Sequence, residues 1–128
     1  MRKVMLLVVI LTLVFASAAY AALVEGTSRS DTLSGTQQSD TMLGYEGNDV
    51  MRALGGADTV TGHAGSDRIY GGAGEDMLRG SAGNDVLIAG DDDESDELRG
   101  GAGTDTCYVS KNDHSNNNID SCENIEKM

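Results

Sequence analysis

Past residue 25, large apolar side chains fall mostly one to a row, at a fixed interval. Leu33, Met42, Met51, Val60, Ile69, Leu78 and Leu87 stand nine residues apart; one step of eleven leads to Leu98, and Cys107 follows at nine again. Two residues before each stands an aspartate: Asp31, Asp40, Asp49, Asp58, Asp67, Asp76, Asp85, Asp96 and Asp105. A short constant period marks a repeat architecture. Written in nines from Gly26, every aspartate up to Asp85 takes place six. Places seven to nine then alternate outward, inward, outward, as a short strand does, which sends the place-eight residue inside. Glycines at places one, two and four permit positive φ and close backbone approach, as a tight turn needs. The pattern predicts an all-β solenoid of about nine rows over residues 26–108, with a core about one residue wide.

The full row reads Gly71-Gly72-Ala73-Gly74-Glu75-Asp76-Met77-Leu78-Arg79, and again Gly100-Gly101-Ala102-Gly103-Thr104-Asp105-Thr106-Cys107-Tyr108. Rows starting at Gly44, Gly62 and Gly80 lack only the second glycine, and the row from Ala53 keeps Gly56 at place four. The first two rows put Arg29 and Gln38 at place four, which makes them the degraded end. This pattern, G-G-x-G-x-D-x-U-x, resembles the RTX, or hemolysin-type, calcium-binding nonapeptide repeat. The resemblance implies a right-handed parallel β-roll. In that family six residues of each row form a calcium-binding turn and three form a strand, with two rows completing a coil.

On such a roll, aspartates eighteen residues apart stack: Asp31 with Asp49, Asp40 with Asp58, Asp49 with Asp67, Asp58 with Asp76, Asp67 with Asp85. Asp96 and Asp105 face Asp76 and Asp85 across a two-residue insertion around residues 90–94. Stacked strands lie about 4.8 Å apart, and carboxylates that close repel unless a cation lies between them or a proton is taken up. Oxygen donors suit a hard divalent ion with six to eight ligands. Zinc or copper would want Cys or His, and the chain has only His63, His114, Cys107 and Cys122. Several calcium ions are therefore expected, held by Asp49, Asp58, Asp67, Asp76, Asp85, Asp96 and Asp105, with Asp31 and Asp40 as the ligands of the degraded rows. The alternative for each is an Asx-turn residue that bonds its own loop. Thin core and stacked charge together predict that calcium binding and folding are one event. The acid run Asp91–Asp96 is no EF-hand, since Asp96 falls where the sixth-place glycine belongs and Ala102 where the twelfth-place glutamate belongs.

Composition supports a thin core: the 128 residues contain no Trp, no Pro and one Phe. The net charge of −12 disfavours nucleic acid and anionic membranes and favours cations. Residues 1–21 read as a secretory signal peptide, with Arg2 and Lys3, an apolar run from Val4 to Phe15 and the cleavage pattern Ala19-Tyr20-Ala21. A secreted or cell-surface location follows, with no membrane contact once the leader is removed and with residues 22–25 as a short lead. In an exported chain Cys107 and Cys122 read as a disulfide, with a free buried thiol as the alternative. The bond would fold an irregular capping tail, 109–128, over the last coil, with Asn116–Asn118 as its turn and Ile119 and Ile125 packing down. No H-E-x-x-H, G-x-S-x-G or P-loop motif is present, so no catalysis is expected. Two functions remain: a calcium-binding module, or an adhesion module held in shape by calcium. The second would use the odd-row sheet, with Val50, Tyr70, Val86, Ile88 and Tyr108 outward, to dock a surface or matrix partner or a second copy.

Overall fold

The computed structural model describes residues 20–90, 92–110 and 119–128. The expected leader up to residue 19, Asp91 and the expected turn at Asn116–Asn118 lie outside the described residues. Twelve strands occur and no helix among the described residues: β1 Leu23–Glu25, β2 Thr32–Ser34, β3 Thr41–Glu46, β4 Val50–Gly55, β5 Thr59–Ala64, β6 Arg68–Ala73, β7 Met77–Ala82, β8 Val86–Ile88, β9 Glu97–Ala102, β10 Thr106–Val109, β11 Ile119–Asp120 and β12 Asn124–Lys127. They form two parallel six-stranded sheets, β1-β3-β5-β7-β9-β11 and β12-β10-β8-β6-β4-β2. Successive rows alternate between the sheets, so each coil holds two rows. Partners are eighteen residues apart, as Met42 is from Val60 and Met51 from Ile69. The chain is a parallel β-solenoid of about five turns.

The place-eight residues from Met42 to Cys107 are fully buried. Leu33 and Val24, nearer the open first end, are only partly buried. Six of the twelve strands are six residues long rather than three, because pairing runs on through places one to three: Tyr45 pairs with His63, and Glu46 with Ala64. Place one also faces inward. Gly44, Gly62, Gly71, Gly80 and Gly100 are buried there, as are Ala53, Ala89 and Val109. Each row therefore contributes one large and one small interior residue, together with its aspartate.

The solenoid extends past 26–108 at both ends. Leu23–Glu25 pairs with Thr41–Leu43, which makes the lead a strand row. The expected irregular tail is instead strand-bearing, because β11 continues one sheet on β9 and β12 continues the other on β10. Residues 121–123 join these two strands, and the row is short: Ile125, opposite Cys107, follows Ile119, opposite Leu98, by six residues rather than nine. Ile125 falls in register with Cys107 but stays 46% exposed, on the edge strand of its sheet among the described residues. The insertion is absorbed in one turn. Gly56, Gly65 and Gly83 each donate the place-four N–H to the carbonyl of Ala73, Ala82 or Ala102 one coil on. Gly74 donates instead to Asp92 Oδ2 at 2.8 Å. Beyond it β7 and β9 pair at a twenty-residue offset, with Leu78 still opposite Leu98.

Place two has a conformational cost. Gly72 and Gly101 adopt φ of 111° and 112°, but Tyr45, Leu54, His63 and Ser81 take φ between 75° and 89° with a Cβ. Such a backbone costs an L-residue about 1–2 kcal/mol. Leu54 is 41% exposed, so little packing offsets that cost. Leu54→Gly is expected to stabilise the calcium-loaded protein by about 1 kcal/mol in thermal unfolding. Leu54→Ala, which keeps the Cβ, should give no gain; an equal gain from both would refer the effect to the lost side chain.

Candidate metal centre

The aspartates are inside the wall of the solenoid. Asp40, Asp49, Asp58, Asp67, Asp76, Asp85, Asp96 and Asp105 are 0–3% exposed, and Asp31 in the first coil is half-buried. From Asp40 to Asp105, each carboxylate spends Oδ1 on a backbone N–H one coil earlier. Asp31 N–H donates to Asp49, Asp49 to Asp67, Asp67 to Asp85 and Asp85 to Asp105, each at 2.8 Å. On the other side Ala22 N–H donates to Asp40, Asp40 to Asp58, Asp58 to Asp76 and Asp76 to Asp96, at 2.7–2.9 Å. The pairing across the insertion is thus kept. Stacked aspartates are joined by hydrogen bonds through one oxygen, and any electrostatic problem lies with the other.

That second oxygen divides the rows. Oδ2 of Asp49, Asp58, Asp67, Asp76, Asp85 and Asp105 is buried with no hydrogen-bond partner. In the first two rows it is satisfied within the loop. Asp31 Oδ2 accepts from the Thr27 N–H at 2.6 Å and its hydroxyl at 2.8 Å. Asp40 Oδ2 accepts from the Thr36 N–H at 2.6 Å and its hydroxyl at 2.9 Å. Asp31 and Asp40 therefore adopt the loop-bonded arrangement, by the same device in both rows. Thr27 and Thr36 were not singled out in the sequence, although a threonine four residues before the aspartate occurs in only these two rows.

The orphan oxygens face a space cut by the place-one glycine. A Cβ on Gly44 would lie 2.5 Å from Asp49 Oδ2 and 2.8 Å from the Gly62 carbonyl of the next coil. One on Gly71 would lie 2.5 Å from Asp76 Oδ2 and 2.6 Å from the Ala89 carbonyl. Gly62, Gly80 and Gly100 bring together in the same way Asp67 with the Gly80 carbonyl, Asp85 with the Gly100 carbonyl, and Asp105 with the Ser121 carbonyl. Ala53 fills this place with a methyl in the Asp58 row. Carboxylate and carbonyl oxygens converge where neither has a proton to share. No cluster of three or more His, Cys, Asp or Glu side chains occurs among the described residues, so main-chain oxygens must supply most ligands of any ion. An all-oxygen cradle with one fixed negative charge fits a hard divalent cation such as calcium.

Electrostatics follow the same division. Burial pushes the Asp76 carboxyl up to about 7; the Asp58 N–H opposes this and the nearby Asp58 and Asp92 carboxylates add to it. Burial likewise takes Asp85 to about 6, with Asp67 and Asp105 contributing. Asp58 and Asp67 are raised, again mainly by burial. In Asp40 burial is outweighed by the N–H groups of Ala22 and Thr36 and by the Thr36 hydroxyl, which leave it below the ordinary value. Burial thus favours the protonated form at Asp58, Asp67, Asp76 and Asp85, whereas the capped Asp40 favours its charged form.

The outward face of the second sheet places Tyr70, Ile88 and Tyr108 in one file, in register across β6, β8 and β10. The Arg52 guanidinium lies 5.1 Å from the Tyr70 ring. Cys107 and Cys122 form a disulfide, with Cα atoms 6.0 Å apart.

Paired parallel sheets, glycine-cut turns and a buried carboxylate in every row define a β-solenoid built around cation-sized oxygen cradles. The family model for the RTX calcium-binding nonapeptide repeat matches the chain in four copies, at residues 25–60, 44–78, 52–87 and 92–111. The chain belongs to that family, whose repeats bind Ca2+. No match was found among curated proteins or among solved structures.

Proposed function

We propose that this is a secreted calcium-binding protein in which the ions take the place of a hydrophobic core, and that Asp49, Asp58, Asp67, Asp76, Asp85 and Asp105 each contribute Oδ2 to one of them. The observation that carries this reading is the set of six buried Oδ2 atoms without a partner. A buried carboxylate oxygen left unpaired costs free energy that a bound cation recovers. The leader pattern of residues 1–21 and the disulfide support export. Asp31 and Asp40 act in the same ladder as capped residues, with Thr27 and Thr36 where an ion would otherwise serve. Calcium would supply the positive charge that the converging oxygens lack, and the residues supply the carboxylate and carbonyl oxygens and their spacing.

Titration calorimetry on the oxidised chain at neutral pH tests the assignment. Six ions per chain are expected, one for each orphaned carboxylate. No heat of binding at millimolar calcium overturns the reading, and a count of eight or more would show that Thr27 and Thr36 do not exclude an ion.

A further inference from the structure

The last cradle differs from the others in what closes it. Asp105 is fully buried, accepts the Asp85 N–H through Oδ1 at 2.8 Å and leaves Oδ2 without a partner. Cradles facing Asp49, Asp67 and Asp85 are roofed by the place-one glycine carbonyl of a full nonapeptide one coil on. The cradle of Asp105 is roofed by the Ser121 carbonyl. The Asp105 N–H, which elsewhere meets the next aspartate, meets Glu123 Oε2 at 2.6 Å. Both substitutes come from the three-residue turn 121–123, and the residue between them is Cys122, bonded to Cys107. Ser121 and Glu123 are themselves exposed, and Ser121 has φ of 57°. Nothing in that turn repeats the glycine pattern. The covalent tie to the buried Cys107, two residues beyond Asp105, holds it against the coil.

We propose that the disulfide builds a terminal calcium site at Asp105, with Ser121 and Glu123 as its outer wall, and that this site is redox-gated. Reduction takes two electrons and two protons from a dithiol such as dithiothreitol, which closes to its own disulfide and leaves Cys107 and Cys122 as thiols. The 121–123 turn then loses its covalent anchor and is held only through the short strands β11 and β12 on either side, the Ser121 carbonyl leaves the cradle, and Asp105 releases its ion. The inner sites, closed by full rows, keep theirs. By linkage, calcium at this site makes the disulfide harder to reduce.

The inference rests on the calcium reading, and one set of measurements separates the two. Calcium stoichiometry is determined on the full chain, oxidised and in dithiothreitol, and on Cys122→Ala, which spares the buried Cys107. Amide hydrogen exchange is followed at Asp105 and at Asp49. Reduction and Cys122→Ala should each lower the count by one and release the Asp105 amide at least tenfold while leaving Asp49 protected. Glu123→Ala in the oxidised protein should release the Asp105 amide by itself. An unchanged count on reduction overturns the terminal site. Loss of every ion overturns it as well, since the bond would then hold the whole fold rather than one cradle. Absence of calcium from both oxidised and reduced protein overturns the calcium reading itself.

Discussion

Chelation of calcium at pH 8 is expected to abolish the parallel-strand circular dichroism signal, and millimolar calcium to restore it. The expectation comes from the imbalance between the two halves of the interior. Its apolar half is one large side chain per row, from Met42 to Cys107, with small residues such as Ala53 beside it. Its polar half is a file of aspartates, six of which carry an unpaired buried oxygen. An uncompensated buried ion costs several kcal/mol, and domains are stable by only about 5–15 kcal/mol in all. A few such charges consume that margin. Protons offer the alternative, and the sign of their effect is set by the raised values. Asp76 at about 7 and Asp85 at about 6 exceed the ordinary 3.8, so the folded metal-free chain binds protons more tightly than the unfolded one. That stabilisation is complete below about pH 4 and is lost as pH rises through 6 to 7. Chelated protein should therefore regain strand signal between pH 8 and pH 5, and calcium affinity should weaken over the same interval. A chelated protein at pH 8 with the spectrum of the calcium-loaded form would refute the account.

Asp76→Asn should move stability in opposite directions with and without calcium. The amide keeps an oxygen for the Asp58 N–H, which Asp76 Oδ1 accepts at 2.9 Å. It puts an N–H2 donor in the cradle shared with the Ala89 carbonyl, where the wild-type oxygen has no partner. At pH 8 the metal-free Asp76 carboxyl, raised to about 7, is ionised, and removing an unpaired buried charge relieves a penalty of several kcal/mol. Metal-free Asp76→Asn should thus unfold at higher temperature or denaturant than metal-free wild type. The calcium-loaded variant should bind one ion fewer and unfold earlier than loaded wild type. The test is the calcium-induced rise in unfolding midpoint, which should shrink in the variant. An undiminished rise would mean that Asp76 is no ligand.

Much of the architecture was legible in the chain because one interior residue and one aspartate repeat in strict phase. A single slip would have moved a place-eight side chain to the outer face, so Met42, Val60, Leu78 and Leu98 declare their sheet. The second interior position was harder to see. Gly44 and Gly62 at place one carry no apolar signal, and a glycine suggests a turn whether its carbonyl roofs a cradle or faces solvent. The division between capped and uncapped aspartates depended on whether a place-two N–H meets the carboxylate, a matter of backbone orientation that composition does not reveal. Only the recurrence of Thr27 and Thr36 four residues before Asp31 and Asp40 hinted at it. At the far end Glu123 and Ile125 do fall eighteen residues after Asp105 and Cys107. The six-residue step from Ile119 to Ile125 and the change from aspartate to glutamate hid that row.

The threonine caps give the solenoid one coil whose carboxylates are satisfied without a metal ion. In a stack where each turn contacts only its neighbours, the costly step is making the first edge on which the next can form. The rows of Asp31 and Asp40 present such an edge without recruiting an ion, because their carboxylates are already satisfied by Thr27 and Thr36. From there each newly laid coil delivers an aspartate Oδ1 to an N–H waiting on the one before. On the calcium reading, growth from that edge toward the C-terminus is expected to take up an ion at each uncapped aspartate, as far as the turn that Cys122 ties to Cys107.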